Sequence, residues 1–394
     1  MQLLVQKKDK LDAEKAIKFI EKCKNAKLAI VHSSARDEVV FLNFFQSLVE
    51  KLKTPFAGMR VSGTATPEGY VEDAVAIAVL CGDFDVKVFH EKINFNEPSE
   101  TVKEITPKLK GWKLCLIHSA NTYKQNVIMD FILRRVQSTY PDLQIWGGLS
   151  SPPPLVATND GIHSDCVLCT TLNGLETDFD VDTGFKFSGA SEEFTITKCD
   201  EFHVLEINGK NVVEEYSKIQ HMRPYFLNML MKYLLTKSDL AKIAKSLFKA
   251  SAIIRESGLR VGMKLLGTII EEGVIEPFIA LELGDEKESY LLTQSYKPED
   301  TILKRTKTSK EDQLAVYDNL YKKFSKPNSM LMVSCAATQY WIDFDYKALE
   351  EKLEKFKCPF LLSYVFGEFG ATLPYKGMEQ NVVHGGTVKA LAFR

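Results

Sequence analysis

Short, wholly apolar runs of strand length alternate along this chain with amphipathic stretches of helical spacing, and the order in which they follow one another repeats. In the first passage the strand Leu28-Ala-Ile-Val31 leads into the small polar turn His32-Ser33-Ser34. An amphipathic helix through Val39 to Leu52 comes next, then a strand ending Val61-Ser62-Gly63-Thr64, and then the run Asp73 to Leu80. A second passage has Leu114-Cys-Leu-Ile117, His118-Ser119-Ala120, a helix from about Lys124 to Tyr140, Leu143 to Ser150 with Gly147-Gly148, and Asp165 to Cys169. Ser33 to Ser119 and Gly63 to Gly148 span nearly the same interval, so the register is kept.

A third, looser copy begins at Leu331-Met-Val-Ser334-Cys335-Ala-Ala337. It runs through a helix over Ala348 to Phe356 and the strand Pro359 to Glu368, and closes on Thr387 to Ala392. Each unit predicts strand, small turn, helix, strand, glycine turn and hairpin strand. That order gives a mixed α/β fold of helix-covered mixed sheets. Small residues after each first strand suit a tight strand-to-helix turn, or let a helix N-terminus or ligand approach the backbone. His32 and His118, each just after a first strand, are placed to face one another across related units, with Val333 or Ser334 as the third counterpart.

Between the second and third units the spacing predicts strands at Phe194–Cys199 and Phe202–Lys210 with a turn at Asn208-Gly209, and a helix over Val212 to Ile219. Helices follow at Pro224–Leu235 and Leu240–Phe248, the latter with Lys242, Lys245 and Lys249 on its polar face. Strands return at Gly258–Ile270, Pro277–Leu283 and Ser289–Thr293, before a charged helix, Ser309–Phe324. With no linker-like tract, two packed domains are expected, residues 1–200 and 201–394.

Of 394 residues, 45% are hydrophobic and 26% charged, an ordinary globular composition with material for a large core. A net charge of −2 leaves no cationic excess to hold a phosphate backbone, so nucleic acid is not an expected partner. The longest apolar run, Ala74 to Cys81, is too short to span a bilayer, and the N-terminus lacks a signal-peptide core, so no membrane association and a cytoplasmic location are expected. Eight scattered cysteines read as buried thiols. Cys166 and Cys169 lie three apart in a strand and point to opposite faces, and no second pair completes a metal set. Neither metal nor cofactor is expected.

Several segments resemble the FIST family, whose N- and C-terminal regions form a sensory module for small ligands. Met59-Arg-Val-Ser-Gly-Thr-Ala65 followed by Glu72 to Val79 is similar to its strand and small-residue turn, and Phe202 to Tyr216 to its strand, Asn-Gly turn and helix ending in Tyr. Ser334-Cys335-Ala336-Ala337 resembles a Ser-Cys-Ala-Gly-Arg type motif, Val365 to Gly370 an aromatic-x-Gly-Glu-Ile-Gly motif, and His384-Gly-Gly-Thr387 a His-Asn-x-Thr motif. The likeness runs from about Lys27 to Phe393. It implies a concave ligand site formed by Cys335, Thr338, Phe366, Gly367, Glu368, Gly370 and His384. The ligand implied is small, amino-acid-like in type, although Thr338 stands where the family often carries an Arg able to clamp a carboxylate.

The same pair of regions occurs in a eukaryotic F-box protein that selects substrates for a ubiquitin ligase. A partner protein or a ubiquitination-linked scaffold is therefore the alternative, with an exposed surface on Pro224–Lys249. About 26 residues precede the first strand, without the Leu-Pro pattern of an F-box. A second alternative is chemical: Cys335, Glu368 and His384, each at or just after the end of a strand of one sheet, could make an activated thiol for a hydrolase or transferase. Against it, Cys335 precedes Ala336-Ala337, which suits a buried thiol, and no nucleotide loop, nucleophile elbow or zinc-protease motif occurs. Glu368, between two glycines, either caps backbone N–H groups or faces a ligand amine. The sequence reading is a non-enzymatic, ligand-binding sensory protein.

Overall fold

The computed structural model describes residues 1–7, 11–121, 126–189, 192–200, 202–220, 266–271, 274–278, 280–283, 291–293, 297–324, 326–370 and 382–394. The first unit is longer than its apolar runs suggested. It opens with β1 (Gln2–Lys7) and α1 (Ala13–Lys22), continues through β2 (Ala26–Ser33), α2 (Glu38–Lys51) and β3 (Phe56–Arg60), and ends with the hairpin β4 (Gly63–Thr66) and β5 (Gly69–Val71) and then β6 (Ala74–Cys81). Asp12 caps α1 by accepting Lys15 N–H, and Asp37 caps α2 by accepting Val39 and Val40 N–H. Carboxylates at these positions satisfy first-turn donors and oppose the positive end of the helix dipole.

The second unit repeats the plan: β7 (Asp85–Lys92), α3 (Pro98–Leu109), β8 (Leu114–Ser119), α4 (Asn126–Thr139), β9 (Gln144–Leu149), the hairpin β10 (Val156–Thr158) and β11 (Gly161–His163), and β12 (Cys166–Asn173). The third begins at β13 (Thr177–Asp182), and here another sheet is inserted. It comprises β14 (Lys186–Phe187), β15 (Glu193–Cys199), β16 (His203–Ile207), β17 (Lys210–Asn211), α5 (Val212–Gln220), β18 (Leu266–Glu271), β19 (Val274–Phe278), β20 (Ala280–Leu283), β21 (Leu291–Thr293) and β22 (Ile302–Lys307). The unit then resumes with the helix Lys310–Lys323, β23 (Ser329–Cys335), the helices Ala336–Trp341 and Tyr346–Leu353, β24 (Phe360–Val365), the hairpin β25 (Glu368–Phe369) and β26 (Val383–His384), and β27 (Val388–Phe393). The strand that opens each unit, and the helix after it in the first two, escaped the sequence reading because they mix charged with apolar residues, as in Gln2–Lys7 and Ala13–Lys22, whereas the third unit's helix, Lys310–Lys323, falls where a charged helix was expected at Ser309–Phe324. The expected helices at Pro224–Leu235 and Leu240–Phe248 lie outside the described residues.

Hairpins are exchanged between units. The three six-stranded sheets have the orders β1-β6-β2-β3-β10-β11, β7-β12-β8-β9-β25-β26 and β13-β27-β23-β24-β4-β5. Each sheet is thus completed by the hairpin of another unit, and the exchange closes in a cycle of three. The pairings β13 with β27 and β4 with β24 join residues on both sides of the boundary expected at residue 200. Asp130 of α4 fixes one exchanged hairpin from behind, accepting Val382 and Val383 N–H at 2.9 Å each.

Alternation sorts each strand into two faces. Leu28 and Ile30, Leu114 and Leu116, Leu331 and Val333 enter one core shared by the three sheets. The intervening residues pack beneath helices: Ala29 and Val31 under the first unit's, Cys115 and Ile117 under the second's, Met330 and Met332 under the third's. Cys166 lies in the shared core and Cys169 in the helix-covered layer, so the two face opposite ways as their spacing predicted. The architecture is three helix-covered sheets turned inward upon one another.

Candidate functional site

Where the three sheets meet, the shared core becomes polar. In register across one sheet, β3, β2 and β6 align Met59, His32 and Ala76; across another, β25, β9, β8 and β12 align Glu368, Gly148, His118 and Leu168; across the third, β4, β24, β23 and β27 align Thr64, Ser363, Val333 and Lys389. His32, His118 and Val333 are therefore equivalent positions. The two histidines do face one another: Nε2 to Nε2 is 3.1 Å and the rings meet edge to face. His32 Nδ1 lies 2.6 Å from Ser363 Oγ. Burial holds His118 down to about 4 and, with His118 beside it, lowers His32 well below its ordinary value. Both rings are neutral near pH 7, so one Nε2–H donates to the other Nε2.

Glu368 stands in the same inner layer. Its Oε2 accepts Thr387 N–H at 3.1 Å and Thr387 Oγ1–H at 2.9 Å, while Oε1 has no hydrogen-bond partner of normal geometry among the described residues. Burial pushes this carboxyl up to about 8, against the Thr387 bonds, the Lys389 charge and the neighbouring Cys335 thiol, all of which lower it. It is neutral at pH 7. With Oε2 taking two donors, the proton belongs on Oε1. The Cys335 thiol, itself buried, is raised well above its usual range, first by burial and then by Glu368. A thiol so placed holds its proton, which weighs against thiolate chemistry.

The other expected residues divide. His384 is Glu368's cross-strand partner in the exchanged hairpin, and it too is buried. Thr338 is buried in the helix following Cys335, its Oγ1 without a hydrogen-bond partner among the described residues. Gly367 O accepts Leu149 N–H at 2.9 Å, and Gly370 O accepts Lys389 Nζ–H at 2.6 Å. Phe366 goes elsewhere: its ring packs into the helix-covered layer of the second unit. Nor do Cys335, Glu368 and His384 share a sheet as expected, because the exchange puts Glu368 and His384 beside β9 while Cys335 ends β23. A groove of 710 Å³ lies apart from these residues, between Met1–Leu3, Thr66–Gly69 and Glu350–Phe360.

Three buried charges at this layer went unnoticed in the sequence. Lys389, within a run read as apolar, reaches the carbonyls of Gly370 and Val382. Glu276, from the inserted sheet, accepts Gly385 N–H at 3.2 Å and pairs with buried Lys297. The His384–Thr387 loop is thus gripped by Glu368 from below and Glu276 from the insertion. Only the alternation of Val388, Lys389 and Ala390 hinted that position 389 points inward. Among the described residues no three His, Cys, Asp or Glu side chains cluster as metal ligands, and no helix is long and apolar enough to cross a membrane.

Compared with known families, residues 27–210 match the model of the FIST N domain. A search of curated proteins gives no match.

Proposed function

From the premise that residues 27–210 form a FIST N domain, of a family whose domains are generally sensory or signalling, we propose that this chain is a non-enzymatic receptor for a small ligand, bound beside Glu368. One observation carries the reading: a wholly buried carboxyl, raised by burial to about 8, has an Oε1 that, beside the Cys335 thiol, finds no partner of normal geometry among the described residues. A buried donor left unmade costs about 1–3 kcal/mol, which a ligand acceptor recovers on binding. The neutral state favours a ligand carbonyl or hydroxyl over a ligand amine at this carboxyl. The raised Cys335 thiol supports binding without chemistry.

The test is a thermal-shift screen of amino acids, nucleotides and neutral polar metabolites against the parent chain, Glu368→Gln and Glu368→Leu. A ligand at a hundred times its Kd adds roughly 2.7 kcal/mol of stability. Gln can donate from the same place and keeps the response, whereas Leu loses it. A hit that Glu368→Leu leaves intact, or no hit across the panel, defeats the reading.

A further inference from the structure

Two of the exchanged hairpins meet their host sheets in the same way, but one meeting lacks a side chain that the other has. Hairpin β10–β11 joins the first sheet with Ala157 opposite Gly58, and β4–β5 joins the third with Ala65 opposite Leu362. Continued along the strands, that register puts Asn159 opposite Phe56 and Pro67 opposite Phe360. The turns correspond as well: Thr158 Oγ1 accepts Asp160 N–H at 3.0 Å, and Thr66 Oγ1 accepts Glu68 N–H at 3.3 Å. So do the segments they face, Leu52-Lys-Thr-Pro-Phe56 and Phe356-Lys-Cys-Pro-Phe360.

In the first sheet the Asn159 carboxamide ties the turn to its host. Its Oδ1 accepts Phe56 N–H at 3.0 Å, and its Nδ2 donates to Leu52 O at 2.9 Å and to Thr54 O at 3.2 Å. In the third sheet the counterpart is Pro67, whose side chain can neither donate nor accept. Pro359 O accepts Met330 N–H from β23 at 3.0 Å, just as Pro55 O accepts Ala29 N–H from β2 at 2.9 Å. A trans peptide points its C=O and N–H in opposite directions, so Phe360 N–H turns away from β23 toward Pro67, as Phe56 N–H turns toward Asn159. Among the described residues Phe360 N–H finds no acceptor, and Phe356 O and Cys358 O find no donor. Phe360 is 1% exposed, and a main-chain donor left unmet at such depth is costly.

The 710 Å³ groove opens at this meeting. Pro67, Phe356, Cys358 and Phe360 line it, together with the apolar Leu3 and Leu353. Its volume suits a small molecule. Three carboxylates, Glu68, Glu350 and Glu354, against one lysine, Lys357, also line it and disfavour an anion.

We propose that this groove binds a small molecule carrying a primary carboxamide on an apolar body, the amide taking in the third sheet the place that the Asn159 side chain takes in the first. The carboxamide oxygen accepts Phe360 N–H and its NH2 donates to the carbonyls of Phe356 and Cys358, while the apolar body lies against Leu3, Leu353 and the two phenylalanines. Glu368 takes no part, so either site can fail without the other.

The experiment is a thermal-shift titration of the full chain with benzamide, against benzoate and N,N-dimethylbenzamide at fixed ionic strength, on the parent, Pro67→Asn and Glu368→Leu. The corresponding turn already carries Asn159, so Pro67→Asn is expected to fold. The parent's Tm rises saturably with benzamide, and benzoate and the dimethyl amide bind at least about tenfold more weakly, the first repelled and the second without N–H donors. Pro67→Asn supplies the amide from within and loses the rise, whereas Glu368→Leu keeps it. Amide hydrogen exchange on the parent carries the test should the asparagine variant not fold: benzamide slows exchange of Phe360 N–H and leaves that of Phe56, already held by Asn159, unchanged. No saturable rise with benzamide, an equal response to the dimethyl amide, an equal rise in folded Pro67→Asn, or unchanged exchange at Phe360 overturns the proposal.

Discussion

His32, His118 and Val333 occupy one position three times over, and the difference among them is a test of what the polar layer is worth. Replacing either histidine by valine leaves the other imidazole buried with an unmet nitrogen, and loss of His32 also strands Ser363. Each single change should cost about 2–3 kcal/mol. The double variant makes all three positions alike and should cost at least about 1 kcal/mol less than the sum, read from urea midpoints in a double-mutant cycle. Additivity would mean the ring-to-ring bond is not formed. The same layer sets the pH dependence. Folded His118 holds its proton only below about 4 but an unfolded histidine does so up to 6.5, so its contribution is present above 6.5 and is lost as pH falls toward 4. His32 acts in the same direction. Glu368 acts oppositely: unfolded it ionises near 4.5, folded near 8, so its contribution falls as pH rises between those values. Two imidazoles outweigh one carboxyl below 6.5, and above it the carboxyl acts alone. Stability should therefore peak near pH 6.5 and drop by about 2 kcal/mol by pH 8. Glu368→Gln should abolish that drop, and an unchanged drop in the variant would show that the folded carboxyl is already ionised.

At the scale of elements, the strands flanking the second helix of each unit, and that helix itself, were legible because their period and their small-residue turns are local properties of the chain, while the opening strands β1, β7 and β13 were not. The facing of His32 and His118 was legible too, since equal register in related units puts like positions at one level. The hairpin exchange was not. Alternation tells which face a residue takes but not which strand lies beside it, so Glu368 could be assigned to a strand end without revealing that its neighbours are Gly148 and His384. The glycines of β9 set how closely its other neighbours, β8 and the end of β24, approach. A Cβ on Gly147 would sit 1.8 Å from Ile117 O at φ +154°, and one on Gly148 would meet both Val365 methyls within 2.9 Å. Gly147→Ala should cost more than about 3 kcal/mol, because main chain cannot move aside. Gly111, at φ +83° with open space around it, should lose only about 1 kcal/mol on the same change. Comparable losses at the two positions, by denaturant unfolding, would mean the close approach of β8 and β9 relaxes freely.

For the whole molecule, the exchange makes the three units one folding problem. A unit alone leaves its third sheet edge bare and its hairpin without a strand to join, so its burial depends on both others. The inserted sheet stands in a different relation. The chain leaves the third unit after Asp182 and returns at Lys310, and the two ends touch, with Thr308 Oγ1 donating to Gly184 O at 2.7 Å. An excursion whose ends are hydrogen-bonded to each other can be removed without stretching what it interrupts. Replacing residues 186–307 by a short glycine–serine linker should leave a chain that unfolds in one cooperative transition, whereas cutting at residue 200 should give two pieces that fold only when mixed. The excised chain also loses Glu276, hence the hydrogen bond to Gly385. Its amides at His384–Thr387 should then exchange faster than in the parent, while those of β2 and β8 stay protected. Loss of protection throughout would make the insertion part of the core, and independent folding of the two cut pieces would mean that the exchanged hairpins contribute little to holding the three sheets together.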